Sequence, residues 1–404
     1  MVIRSRRYVH GLRRRPPCDE ADYLWVFLVA TTDSERSWGD TIATLARLHV
    51  EHAVVLPVVA AEDQRSDELT SVDAVIVPAQ PSTGDAQHDT LNAAHSYVTQ
   101  GMQDGGPMAG WSPTNVVLVL LDDVQGLSPR TPSLVARHLN EPLVGAVQAG
   151  VTICPTLSWL TRMQAVEADV WTRLQQPGRS LLGTAELRAT GQFLRLQALD
   201  SARTEAAPWP AHVDHEKELV IRLLGHGWRV EHCPHVAVDR SPETRFGVWF
   251  RRRSQHMQAE IRTLSAMRQL YSHNLVGVRR FDAWFSLAEP LLQGIVGLAV
   301  ALLLLLGVLF RTPALPFAWP VIVVLAMVLF IGPLGWFGVA TRRGLGWRAG
   351  VVSLLRMPSY AVYCWLRLPI TLVAGVTMVW QRLSHWWTVS AGGAHEQLRT
   401  DELR

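Results

Sequence analysis

Three short stretches of this 404-residue chain carry side chains arranged for chemistry. The first is Asp122-Asp123, two adjacent carboxylates that close the apolar run NVVLVLLDD, residues 115–123. A short apolar run of that kind reads as a buried strand, so the pair falls where a sheet meets solvent. Carboxylates there can hold Mg²⁺ or Mn²⁺ against a diphosphate, the metal neutralising charge that builds on the leaving group. A turn or a helix cap is the plainer use of two aspartates, and spacing alone leaves both open. The second stretch is Thr190-Gly191-Gln192, which reads as a tight polar turn before an amphipathic helix in RATGQFLRLQAL, residues 188–199. Thr190 as a helix cap would account for it alone. The third is the group Asp214, Glu216 and Glu218, acids that precede and begin a helix stopped by Gly225 and Gly227. A carboxylate there could take a proton from a hydroxyl. Acids in a first turn are also favoured by the helix dipole alone.

The elements that must position these groups follow from the hydropathy pattern. Apolar runs at 23–31, 52–59, 71–79 and 115–123 read as strands, and 37–48 and 90–102 have helical spacing between them. Strands that are apolar on both faces and alternate with helices argue for a largely parallel sheet covered on both sides. Ligands of such sheets lie at the carboxyl ends of the strands, where Asp122 and Asp123 fall. Residues 130–240 continue as mixed α/β, with helices at 133–140, 158–176 and 218–228 and a late strand at 229–238.

Beyond residue 245 the character changes. Residues 244–270 read as one or two basic amphipathic helices, with Phe250, Met257, Ile261 and Leu264 on one face. Such helices just before a span lie in the membrane interface. Two runs, 286–310 and 317–340, each supply the ~20 apolar residues a span needs. The arginines before 286 and at Arg342, Arg343, Arg348 and Arg356 put both feet of this hairpin on the cytoplasmic side. A third apolar stretch, 360–380, is interrupted by Arg367 and Pro369, and whether it crosses is left open. The expected organisation is a basic disordered tail over 1–20, a cytoplasmic α/β domain over 21–245, interface helices over 246–285, a transmembrane region over 286–380 and a polar tail over 381–404.

Composition agrees with this division. The mean hydropathy of +0.11 is high for a soluble chain, and the excess sits late. The net charge is only +3, and the basic clusters flank apolar segments without the patterned face that nucleic-acid binding requires. Lys217 is the single lysine. The four cysteines are scattered, with no zinc-type spacing. Cys233 with His232 and His235 forms a short cluster whose plainer reading is packing at a strand end.

Taken in order, the strand-end acids, the Thr-Gly-Gln turn, the acid-led helix ending in Gly-Trp-Arg, an Arg/Gln-rich helix and the spans resemble the processive membrane glycosyltransferases of family 2. These are the cellulose-, chitin- and hyaluronan-synthase-like enzymes. The likeness covers about residues 23–380 and is most specific from TGQFLRLQAL through ELVIRLLGHGWRVEHCP. It implies a glycosyltransferase A-type α/β domain with a mostly parallel sheet, then interfacial helices and a small α-helical transmembrane region. It implies donor and metal binding at Asp122 and Asp123 with Mg²⁺ or Mn²⁺ as cofactor, and acceptor binding at Thr190, Gly191 and Gln192. Glu216 takes the place of the catalytic base, with His215 in place of the preceding acid. Arg252, Gln255 and His256 stand where the family contacts the diphosphate and the acceptor.

The motifs also depart from the family. One acid of the strand-end pair is missing, the aspartates that read base and ribose are displaced to Glu62 and Asp63, and the lysine before Asn92 is gone. Each lost ionic contact is worth about 1.5–3 kcal/mol. The function implied is transfer of a sugar from a nucleotide-sugar donor to a glycan or lipid-linked acceptor with inversion. The eroded motifs leave a second reading, a catalytically inactive membrane scaffold for a glycan synthase or exporter. The expected partners are membrane lipids and envelope-synthesis proteins, and the expected location is the plasma membrane, multi-pass, with the catalytic-like domain in the cytoplasm.

Overall fold

The computed structural model describes residues 1–30, 44–45, 47–48, 50–60, 77–79, 86–105, 108–121, 127–188, 190–203, 208–209, 215–309, 359–360 and 362–381. Its centre is a seven-stranded sheet. The strands are β1 (Leu24–Ala30), β2 (Ala53–Ala60), β3 (Val77–Ala79), β4 (Val116–Leu121), β5 (Val144–Ile153), β6 (Gln192–Arg195) and β7 (Arg229–Arg240). Their spatial order is β3-β2-β1-β4-β6-β5-β7. Every neighbouring pair is parallel except those of β6, which runs antiparallel to both β4 and β5. The result is an α/β domain with a mostly parallel, mixed sheet.

Both faces of the sheet are covered, as the two-sided apolar strands require. All six residues of β4 are buried. On one face Leu118, Leu120, Ala146 and Leu194 meet Leu91 and Val98 of α2 (Ala86–Gln103), Leu199 of α6 (Leu196–Ala202) and Leu219 and Leu223 of α7 (His215–Gly225). On the other, Val119, Val147 and Phe193 meet Val135, Ala136 and Leu139 of α3 (Thr131–Leu139). A long helical run follows β5: α4 (Trp159–Val170), a π-helical turn (Trp171–Gln175) and α5 (Gln176–Ser180).

The amino terminus differs from expectation. Residues 1–20 do not form a disordered tail: α1 (Val2–Arg14) packs against α5. Its arginines mask a stripe at Ser5, Tyr8 and Leu12 that is buried in the domain. The buried Tyr8 hydroxyl donates to the His232 carbonyl at 2.9 Å and meets His138 Nδ1 and Glu231. A buried acid needs cations, and Arg15 supplies one by a bidentate pair to Glu231 at 2.8 and 2.9 Å.

Past the sheet come α8 (Phe246–Arg262), a 3₁₀ segment (Thr263–Tyr271) and α9 (Gly277–Leu309), which contains residues 286–309 of the first expected span. The second, 317–340, lies outside the described residues. The apolar face of α8 is covered mainly by protein: Trp249, Phe250 and Met257 cluster with Tyr360, Tyr363 and Ile370. Among the described residues one helix, α10 (Val362–Gln381), meets the length and hydropathy needed to cross a membrane. It packs closely on α9, where a Cβ placed on Gly294 would lie 2.6 Å from Thr371 Cγ2.

Candidate active site

A cleft of about 240 Å³ opens at the carboxyl ends of β5 and β7. Its floor is Val151, Ile153 and Arg240, and its walls are Glu167 of α4, Trp171 of the π turn, the segment 186–188, Glu216 and Lys217 of α7, and Trp249, Arg252, Arg253, His256 and Glu260 of α8. Ends of parallel strands and π-helical turns both recur at ligand sites.

Each wall has a local cause. α4 starts at Ser158, whose Oγ accepts from the Thr161 amide at 3.4 Å. α7 starts with Glu216 and Glu218 in its first turn, favoured by the helix dipole. The two acids then part. Glu218 turns inward beside Arg222, 3.7 Å away, and Arg222 donates to the carbonyls of Ala202 and Pro208 at 2.9 and 2.7 Å. Glu216 faces the cleft.

Four cleft carboxylates are held by cations. Burial pushes the Glu167 carboxyl up, but Arg253 and Arg367, with a 2.7 Å bond from the Tyr363 hydroxyl, outweigh it and keep the acid far below the usual range. Glu186 is likewise lowered against its own burial, first by Arg179 and then by Lys217 and Ser286. Glu260 is pushed down to about 2 because Lys217, 2.5 Å away, and His256 overcome its burial. Glu243 pairs with Arg252. Such concentrated perturbation is typical of functional sites.

The turn before β6 is fixed from below. Gly191 has φ +74°, its N–H donates to the Leu120 carbonyl at 2.9 Å, and its carbonyl accepts from Ala149 at 2.8 Å. Buried Gln148 donates to the Thr190 carbonyl at 2.8 Å and accepts from the Arg188 amide at 2.9 Å. Gln192 donates to the Arg188 carbonyl at 2.7 Å, and its Oε1 is buried without a hydrogen-bond partner among the described residues. Residues 192–195 are therefore a strand, and the helix expected to follow the turn begins only at Leu196.

The structure thus brings Glu216, Arg252 and His256 into one cleft, with Thr190, Gly191 and Gln192 buried beneath it through Arg188. Gln255 is exposed and does not line the cleft. Asp122 and Asp123 lie outside the described residues, directly after buried Leu121. Among the described residues no cluster of three His, Cys, Asp or Glu is placed to hold a metal, and Cys233, His232 and His235 do not form one. Sequence reasoning did not single out Glu167, Trp171, Glu186 or Arg188. For Lys217, standing as the single lysine beside Glu216 was an available signal.

The family model described as glycosyl transferase family group 2 matches residues 117–391. The chain belongs to that family. As a family 2 glycosyltransferase domain it places both the cleft and the segment from Gly191 to the end of β7 inside the matched region. No curated protein matches the chain significantly. Among solved structures, glucosyl-3-phosphoglycerate synthase from Mycobacterium tuberculosis with Mn²⁺, uridine-diphosphate-glucose and phosphoglyceric acid is 16% identical, over 61% of this chain and 80% of that one, with a TM-score of 0.36. A second structure of that synthase is 14% identical over 64% and 84%, TM-score 0.38. A further mycobacterial protein is 15% identical over 61% and 76%, TM-score 0.39.

Proposed function

We propose that this family 2 glycosyltransferase domain is catalytically active and membrane-associated, moving a sugar from a nucleotide-sugar donor to a glycan or lipid-linked acceptor with inversion. The observation that carries the reading is Glu216: it opens on the same cleft as Arg252 and His256, while its neighbour Glu218 is spent on Arg222. In this reading Glu216 takes the proton of an acceptor hydroxyl. The hydroxyl oxygen attacks the anomeric carbon, the bond to the diphosphate breaks, and the nucleoside diphosphate leaves. A single displacement of this kind inverts the anomeric centre. Buried Gln192, whose Oε1 has no hydrogen-bond partner among the described residues, and Gly191 position the acceptor side.

The donor lies at the end of β4. Two carboxylates after Leu121 are hard oxygen donors that suit Mg²⁺ or Mn²⁺, and Asp122 and Asp123 would hold the ion there. A bound divalent ion supplies neutralisation of the diphosphate charge.

Membrane association is supported by the two long helices. α9 exposes an apolar ridge at Leu291, Ile295, Leu298, Leu302, Leu306 and Leu309, and before it Phe281, Trp284 and Phe285 stand exposed. Aromatic side chains at that position suit a headgroup layer, and Arg279 and Arg280 suit a cytoplasmic foot. α10 has the length and apolarity to cross. A plasma-membrane location, with the domain on the cytoplasmic side, follows from that reading.

Nucleoside-diphosphate release tests it, using purified full chain, a panel of sugar nucleotides, Mn²⁺ or Mg²⁺ and membrane lipids. Metal-dependent release that is lost in Glu216→Gln is expected. Neither release nor nucleotide binding across the panel would sink the enzyme reading and leave an inactive membrane scaffold.

A further inference from the structure

Two guanidiniums in the cleft are not committed to carboxylates. Among the described residues Arg188 and Arg240 form no ion pair and donate no side-chain hydrogen bond, whereas the arginines around them do. Arg188 lies in the field of Glu186 and Glu167 but bonds to neither. Its main chain is pinned on both sides, by Gln148 at the amide and Gln192 at the carbonyl. Its guanidinium rests over the Trp171 ring, 4.2 Å from the centroid, a cation–π platform. The indole is fixed in turn by its N–H, which donates to Glu186 Oε2 at 3.2 Å. Arg240, exposed at the end of β7, is close enough for its charge to act on Arg188. The cleft acids Glu167, Glu186, Glu243 and Glu260 are paired with other cations, so the two guanidiniums keep donors that an anion can take, and paired guanidiniums fit the oxygens of a phosphate.

Their place in the sheet says which phosphate. The strand-end acids follow β4, and β6 separates β4 from β5 and β7, whose ends form the cleft floor. On the reading above the metal-held donor diphosphate belongs to β4, two strands away from β5 in the sheet, and the arginine pair belongs to the β5–β7 side. The cleft wall also includes Trp249, whose ring lies 5.4 Å from that of Tyr363 on the apolar helix α10.

Resting on the glycosyltransferase reading above, we propose that Arg188 and Arg240 form a phosphate subsite that holds a phosphate group borne by the acceptor. The group can come from a lipid or from a small soluble phosphate ester, and the two sources are separable by experiment.

The test uses full chain in a non-ionic detergent and measures binding of dodecyl phosphate, dodecanol, glycerol 3-phosphate, glycerol and uridine-diphosphate-glucose. At least one phosphate compound is expected to bind about tenfold or more tightly than its alcohol, the scale of a charge-assisted contact. Preference for dodecyl phosphate identifies a lipid acceptor, and preference for glycerol 3-phosphate a soluble one. Arg188→Gln and Arg240→Gln should each erase the preference and leave nucleotide binding unchanged. The exposed Arg240 position supplies the decisive variant if Arg188→Gln fails to fold. Equal binding of phosphate and alcohol overturns the subsite. Weakened uridine-diphosphate-glucose binding in the variants, with the phosphate preference intact, overturns its assignment to the acceptor. Arginine-dependent phosphate binding with no nucleotide binding retains the subsite and removes the glycosyltransferase reading instead.

Discussion

Glu167 in α4 and Arg367 in α10 are bonded at 2.8 Å across 200 residues of sequence. The same carboxylate pairs with Arg253 of α8 and accepts from the Tyr363 hydroxyl, and it lines the cleft. One acid therefore ties the apolar helix to the sheet domain. A second tie runs from Glu186 through Arg179 to Asp282 and Ser286 of α9, with Arg179 Nε 3.2 Å from Asp282. α10, the one described helix long and apolar enough to cross a membrane, and α9 are thus both fastened to residues of the candidate site.

Glu167→Gln should loosen the first tie. Two guanidiniums would lose their shared carboxylate, and removing one partner of a buried pair costs about 3–5 kcal/mol. Partial exposure of Arg367 reduces this, so about 2–4 kcal/mol is expected. Thermal unfolding in detergent measures it, and limited proteolysis should cut near α10 sooner. An unchanged midpoint with unchanged cleavage would refute the coupling.

Arg15→Ala tests whether α1 is part of the fold. It removes the two hydrogen bonds that Arg15 donates to the fully buried Glu231 and leaves Tyr8, 3.1 Å away, His138, 2.9 Å away, and Arg229, 3.3 Å away. A loss of about 1.5–3 kcal/mol is expected from the charge-assisted bonds. Tyr8→Phe should cost about 1 kcal/mol, since a buried hydrogen bond to a carbonyl is lost without a cavity. Urea midpoints check both. A disordered tail would show neither effect.

Stability should peak near neutrality because three buried groups titrate differently in the folded chain. Burial, and then the charge of His138, lowers His232 to about 3. That contribution is present above the unfolded value of about 6.5 and is lost as pH falls towards 3. Glu231 is lowered to about 2 because bonds from His138 and Arg15 outweigh its burial, so it adds further loss below about 4.5. His138 is raised to about 9, against its burial, by Cys233 and Glu231. Its contribution is complete below about 6.5 and is lost as pH rises through 9. Each group sets a limiting slope of about 1.4 kcal/mol per pH unit. Melting temperatures from pH 4.5 to 9.5 should trace this dome, and His138→Gln should flatten its alkaline side. A flat alkaline side in the parent chain would refute the assignment.

Gly191→Ala should damage the turn that is proposed to serve the acceptor. Gly191 holds a φ that other residues avoid, and an added Cβ would lie 3.0 Å from both Ala149 Cβ and Val238 Cγ2. A cost of about 1–3 kcal/mol is expected from the backbone conformation. Displacement of Gln192 should lower transfer more than nucleotide binding. Equal losses in both would argue that the turn serves only the fold.

The sequence by itself determined the sheet domain, because two-sided apolar strands of the length of β1 and β4 have no stable home outside a covered sheet. It determined the late apolar region by run length, and it marked Glu216 by placing an acid in the first turn of α7. Several features were decided only in three dimensions. Arginine-rich α1 reads as solvated until Glu231, more than 200 positions away, supplies the buried charge it meets. β6 is too short, at four residues, to outweigh the helical spacing that follows it, and antiparallel insertion between β4 and β5 made it a strand. Glu167, Glu186 and Arg188 look like ordinary charges of a helix and a loop in the sequence. Burial in one cleft raises the cost of every unmatched charge, and only the folded chain fixes which arginine meets which acid and leaves Arg188 and Arg240 without an ion pair among the described residues.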